Sequence, residues 1–239
     1  SEAGQDPVTA GNWMIANISN TSPTLEYKGT EGRSDTTRKV FPSGTSITKE
    51  KLAELVTIRD TEDNHTVLED KPYGTGSLQI MSGLKETPGK ATPAGRYTVV
   101  LKAVDSQGKE SNTLTVYVGV VSTDLKYKPK VAGVELGQAG GERVITVTGD
   151  SHKQGDEVTY TPESEITGAD NKVYVPKVKG AQTTHLTDKA QVIEVEYVEK
   201  PATSTPTFTV GTQNPQTGNV EVPVGGVPEG TKVTFPGVI

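Results

Sequence analysis

Three histidines, one run of carboxylates, two strand lysines and an Arg-Tyr-Thr triplet are the residues of this 239-residue chain that could do chemistry. His65, His152 and His185 stand far apart in polar stretches. They lack the His-x-His or His-x-x-x-His spacing that would aim two imidazoles at one metal, so solvated surface roles are expected. Asp60-Thr61-Glu62-Asp63-Asn64, followed by Glu69 and Asp70, crowds oxygen ligands of the kind calcium takes. That spacing fits no EF-hand loop, and charged turn residues are the plainer reading. Lys102 and Lys126 lie in strand-like segments, where a lysine beside an Asn or Asp could close an isopeptide bond; no motif identifies the partner, and exposed strand lysines are the plainer reading. The sequence has no Gly-x-Ser-x-Gly elbow, no Walker loop and no Gly-x-Gly-x-x-Gly between a strand and a helix. With 0 cysteines there is no disulfide, thiolate zinc site or cysteine nucleophile. The expectation is a protein that is no enzyme and carries no metal and no cofactor.

Composition narrows the partners. The net charge of -6 and the absence of clustered Lys and Arg argue against nucleic acid and anionic membranes, because counterion release needs a basic stripe. Residues 1–121 hold 13 basic and 15 acidic side chains and residues 122–239 hold 11 and 15, so neither half supplies one. No apolar run approaches the roughly 18 residues of a membrane span, and Ser1-Glu2-Ala3-Gly4-Gln5-Asp6-Pro7 does not read as a signal peptide. A soluble piece of something longer is expected. Only 32% of residues are hydrophobic and only 3 Phe and 1 Trp are present, which predicts no large core. Zero Cys with 2 Met hints at a Gram-positive cell-surface origin.

These residues must be positioned by strands. Most segments alternate with period two, rich in β-branched residues and bounded by Gly, Pro, Asn and Asp, so the fold class is all-β. Tyr97, Val99, Leu101 and Ala103 share one face of the segment 97–104, and 114–121 alternates again; Asp105 to Asn112, with Gly108 able to take a positive φ, makes the pair a hairpin. One short helix is predicted at 48–56, capped by Thr48, with Leu52, Leu55 and Val56 on one face. The alternation of 56–60 returns to strand, so the helix decorates a sandwich edge or connects two sheets.

Residues 121–130 read as a polar, Pro-containing bridge, which places a domain boundary there. The second domain, 122–200, is expected to hold strands at 143–148, 157–161, 172–175 and 191–198. In the last of these Ile193, Val195 and Tyr197 face one side and Val192, Glu194, Glu196 and Val198 the other. Residues 201–239 are a linker and three short strands, at 207–210, 219–224 and 231–235. They are either a partial third unit or additions to the second domain.

A family resemblance rests on Gly76-Ser77-Leu78-Gln79-Ile80-Met81-Ser82-Gly83-Leu84 and on Gly95-Arg96-Tyr97-Thr98-Val99-Val100-Leu101-Lys102-Ala103-Val104-Asp105-Ser106-Gln107-Gly108-Lys109. Upstream, Ser22 to Tyr27 and Val40 to Thr45 add to it. Residues from about 20 to 121 thereby resemble bacterial Ig-like adhesin modules, the Siglec-like binding regions of serine-rich repeat adhesins and Rib modules among them. The resemblance implies an Ig-like β-sandwich over 1–121. In Siglec-like regions an aromatic-Thr-Arg motif sits on this strand and its arginine pairs with a sialic-acid carboxylate. Tyr97 and Thr98 match that motif, Val99 stands where the arginine would be, and Arg96 lies beside it, on the face opposite Tyr97. Gly155 to Tyr160 and Val192 to Tyr197 are similar to mucin-binding-protein-type β domains, and 218–233 resembles the tandem-repeat stalks of such proteins.

The function expected is that of a Gram-positive cell-wall adhesin, acting as a monomer at the cell surface. It would recognise a host cell-surface, salivary or plasma glycoprotein glycan without catalysis. The ligand residues expected are Tyr97, Thr98, Arg96, Tyr73 and Lys90, on the 97–104 strand and its flanking loops 70–74 and 86–90. For Tyr97 the competing role is a core aromatic; Tyr73, Lys90 and Arg96 compete with plain surface decoration. The alternative function is a non-binding stalk, which the aromatic content of 5% favours, since binding hot spots lean on Trp, Tyr and Arg.

Overall fold

The structure, a computed structural model, describes residues 21–60 and 78–203. Tyr73, His65, the acidic stretch from Thr61 to Asp70, and the three strands expected beyond residue 206 lie outside the described residues. Contacts divide the chain after Val198, and the first unit carries both hydrophobic cores.

The fold is all-β and of sandwich type. In the first part, β1 (Thr24–Tyr27) pairs antiparallel with β3 (Val56–Arg59). The facing sheet has the order β2, β6, β5, β4, formed by Lys39–Phe41, Leu114–Val120, Gly95–Ala103 and Leu78–Ser82. Strands β5 and β6 are the hairpin expected, in register from Gly95 opposite Val120 to Leu101 opposite Leu114. Asp105 closes the turn, its carboxylate accepting the Gln107 and Lys109 N–H groups, while Gly108 sits at φ +86°. Alternation sends Val99, Leu101 and Ala103 inward against Val116, Val118 and Val120, and Leu25 and Ile58 of the opposite sheet complete this core. Burying each such aliphatic side chain stabilises by about 1.5–3 kcal/mol.

Helix α1 (Lys49–Ala53) follows Thr48, whose backbone is extended as at an N-cap but whose side chain makes no capping hydrogen bond, and it drops Leu52 into the same core. Leu55 and Val56 are buried too, but not on the helix face expected: the helix ends at Ala53 and Val56 opens β3. The helix is a single turn and a half because strand pairing resumes at Val56.

The second core belongs to a five-stranded sheet with the order β10, β11, β13, β7, β8 and a two-stranded pair, β9 with β12. Their spans are Leu125–Lys130 for β7, Arg143–Ile145 for β8, Glu157–Tyr160 for β9, Ile166–Thr167 for β10, Val173–Pro176 for β11, Gln182–His185 for β12 and Gln191–Glu199 for β13. Here the sequence reading needs a correction. The supposed polar bridge at 121–130 contains β7, a strand in the interior of the sheet. Leu125, Tyr127 and Pro129 point inward and Lys126, Lys128 and Lys130 outward, so three lysines on one face disguised an ordinary alternation. Pro129 is tolerated because the β8 ladder ends at Tyr127, before the missing N–H matters on that side. The short strands β10 and β12 were also unforeseen; β12 is Gln-Thr-Thr-His and has no fully buried face.

Strand β13 behaves as read: Val195 and Tyr197 are buried, whereas Val192 and Val198 are exposed. The scarcity of Phe and Trp is met by tyrosines. Tyr127 and Tyr160 stack with ring centroids 6.0 Å apart, and the Tyr197 hydroxyl donates to the Glu163 carbonyl at 2.8 Å. The Tyr174 hydroxyl donates to Asp170 at 2.5 Å. The chain passes from one core to the other between Val120 and Val121 with no spacer residue.

Candidate functional site

The start of β5 carries three of the expected ligand residues, and the pleat separates them. Tyr97 turns inward and is half-buried against the first core. Its hydroxyl donates to the Pro93 carbonyl at 2.5 Å, and burial pushes the phenol above its ordinary pKa. Thr98 turns outward, is exposed, and lies directly across from Tyr117 on β6. Gly83, at φ +90°, runs so close to this point that a Cβ there would lie 1.8 Å from the Thr98 carbonyl oxygen. Strand β4 and its exit therefore clamp the backbone beneath Thr98. Lys90 is exposed at a turn whose N–H bonds the Thr87 carbonyl at 2.9 Å, and the Ser46 hydroxyl ties that turn down through the same carbonyl.

Arg96 leaves this group for a different partner. Its Nε donates to both carboxylate oxygens of Asp188, each at 3.1 Å, and Asp188 is only 4% exposed. Gly119 makes the approach feasible, since a Cβ there would stand 2.5 Å from Asp188 Oδ2. Arg96 Nη1 also lies 3.6 Å from Asp35. Asp35 accepts from Arg38 Nη2, and Arg38 Nη1 donates to the Tyr97 and Val118 carbonyls at 2.9 and 2.8 Å. The Arg38 guanidinium sits 5.5 Å from the Tyr117 ring centroid. The hydrogen bond from Arg38 holds the Asp35 carboxyl below the usual range, with the charges of Arg38, Arg96 and Lys189 adding to it. Charges thus alternate along Arg38, Asp35, Arg96 and Asp188.

This ladder crosses the place where the two cores meet. Val121 N–H bonds the Phe41 carbonyl at 3.0 Å, and Ser122 N–H bonds the Thr187 carbonyl at 2.8 Å. Ser43 N–H bonds the His152 carbonyl at 2.9 Å, and His152 N–H bonds the Ser43 hydroxyl oxygen at 2.8 Å. Val40, on the outward face of β2, packs against the second core while its neighbour Phe41 fills the first. A cleft of about 360 Å³ beside the ladder is lined by Thr30, Glu31, Thr37, Arg38, Lys39 and Gln154. Lys39 in its lining pairs with Glu31 at 3.2 Å.

The other chemistry-bearing residues are dispersed. The His152 ring contacts the Gly149 carbonyl at 3.2 Å and Asp156 at 4.0 Å, and His185 lies 3.9 Å from Glu157. Lys102 pairs with Glu110 at 2.6 Å and Lys126 with Glu142 at 3.6 Å, so both candidate isopeptide lysines face glutamates. Among the described residues no group of three or more His, Asp or Glu side chains could hold a metal ion. What the β5 face offers chemically is an exposed hydroxyl on a fixed backbone, suited to hydrogen bonding.

Sequence reasoning missed Asp188, Gly119, Asp35 and Arg38. The one local signal was the Asp35 to Arg38 spacing, which puts opposite charges together on a single helical turn. No family model, curated protein or solved structure matches this chain.

Proposed function

We propose that this chain is a non-enzymatic attachment region of a Gram-positive cell-wall adhesin, recognising a host glycan or glycoprotein through the outer face of β5. The observation that supports this reading is the isolation of Thr98. It is exposed on a stretch of sheet paired with β6 and closely approached by Gly83, while its neighbours are engaged elsewhere, Tyr97 with the core and Arg96 with Asp188. A hydroxyl on rigid backbone suits a polyhydroxylated partner, because little side-chain entropy is lost on binding. With Arg96 paired to Asp188, no free guanidinium among the described residues stands beside Thr98, so a neutral sugar fits this face better than a carboxylated one.

The test is a glycan array and a pulldown from host plasma and saliva with residues 1–239, repeated with Thr98→Ala. Binding that falls at least about tenfold in the variant, equivalent to one lost hydrogen bond of about 1.4 kcal/mol, supports the reading. Binding untouched by Thr98→Ala moves the site off β5.

A second reading, a stalk with no ligand of its own, is favoured by the direct passage between cores at Val120 and Val121 and by the Arg96 bridge. Silence in both binding assays selects it.

A further inference from the structure

We infer that the chain is load-bearing: tension between its two ends is carried in shear by two parallel ladders, one at each core. The inference deepens the surface-attachment reading and takes its biological sense from it. In the second core the entering strand, β7, pairs in parallel with the leaving strand, β13. The register is unbroken from Leu125 opposite Gln191 to Lys130 opposite Glu196. In the first core the entering segment runs along β6 in the same sense throughout. Leu25 N–H bonds the Asn112 side chain, the Tyr27 hydroxyl bonds the Thr115 carbonyl, and Tyr117 N–H bonds the Gly32 carbonyl. Lys39, Val40 and Phe41 then pair in parallel with Val118, Gly119 and Val120.

Parallel pairing of β7 with β13, the first and last strands of the second core, places the entry and exit of the chain at opposite ends of that ladder, and in the first core β2 pairs in the same sense with the last strand, β6. Pulling them apart strains all the ladder hydrogen bonds together, since they lie side by side rather than in sequence. An antiparallel terminal pair would instead open one bond at a time from its shared end. Forced rupture is governed by the unfolding barrier rather than by equilibrium stability, so the direction of pull decides the force even when the folding free energy does not change. Between the two ladders the Arg96 to Asp188 bridge and the Ser43 to His152 backbone bonds tie the cores across the single peptide link at Val120 and Val121.

The experiment is single-molecule force spectroscopy on the full chain, which has 0 native cysteines, so thiol handles attach only where introduced. Thr123→Cys with Lys200→Cys pulls β7 and β13 from opposite ends; Thr123→Cys with Ala190→Cys pulls the same ladder from one end. All three positions are exposed. The expected result is a distinctly higher rupture force for the first pair than for the second. Equal forces, or a higher force for the second pair, overturn the inference.

The unmodified chain held by tags at its two ends gives a reading that depends on no substitution. Its second-core step, roughly 250 Å of released chain at ~3.5 Å per residue, is expected at the shear force; a step at the peeling force overturns the inference. No ligand is present, so a failure here leaves glycan binding standing, and a silent glycan array leaves load-bearing standing.

Discussion

Replacing Arg96 with alanine separates a structural arginine from a ligand-binding one. Arg96→Ala removes two hydrogen bonds, each 3.1 Å, and leaves the carboxylate of Asp188, 4% exposed, without that cation. Stripping the partner from a fully buried charge costs about 3–5 kcal/mol. The Arg96 side chain is 37% exposed, so water screens part of the pair and reaches part of the gap. About 2 kcal/mol of lost stability is therefore expected, close to the value of a hydrogen bond to a charged group. For a unit of this size that corresponds to a fall in Tm of about 4–8 °C. Urea melts of Arg96→Ala, Asp188→Ala and the double variant should give a coupling of about 1–2 kcal/mol. Most of it should survive about 0.5 M salt, because Asp188 is shielded from mobile ions. Purely additive losses, or a single-variant loss under about 0.5 kcal/mol, would refute the bridge. So would the opposite pattern, intact stability with abolished glycan binding, which would make Arg96 a ligand contact.

Gly83→Ala places a Cβ 1.8 Å from the Thr98 carbonyl oxygen at a φ of +90°, so a loss of about 2–4 kcal/mol is expected; an unchanged urea midpoint would show that the β4 exit is not clamped. Burial, with Tyr127 and Glu163 adding, pushes Tyr197 up to about 12. Its folded value exceeds its unfolded one, so its contribution is complete below pH ~10 and is lost as pH rises through about 12. Tyr197→Phe should flatten that alkaline loss in pH-dependent melts, and an unaltered slope would assign it to other groups. Intact mass is expected to equal that of the unbridged linear chain, the sum of its residues plus one water, because Lys102 and Lys126 each face a glutamate in an ordinary ion pair. A deficit of one ammonia or one water would contradict this.

Local alternation made β5, β6, β9, β11 and β13 legible, since each turns apolar residues to one side within a few residues of chain. The same rule failed at β7, where proline and three lysines outweighed Leu125 and Tyr127, and at β12, which has no buried face to advertise itself. Within the candidate site the sequence marked Thr98 and its exposure, because outward and inward positions follow from the pleat alone.

The composition and periodicity of the chain determined by themselves that it is built of strands and which side is apolar in those, such as β5, β6 and β13, whose alternation is plain. Only the tertiary structure decided that Arg96 meets Asp188 over Gly119 and that β7 pairs in parallel with β13 and β2 with β6. Periodicity is a property of neighbours along the chain, whereas the fate of Arg96 depends on a carboxylate 92 residues away, brought in where two separately buried cores meet.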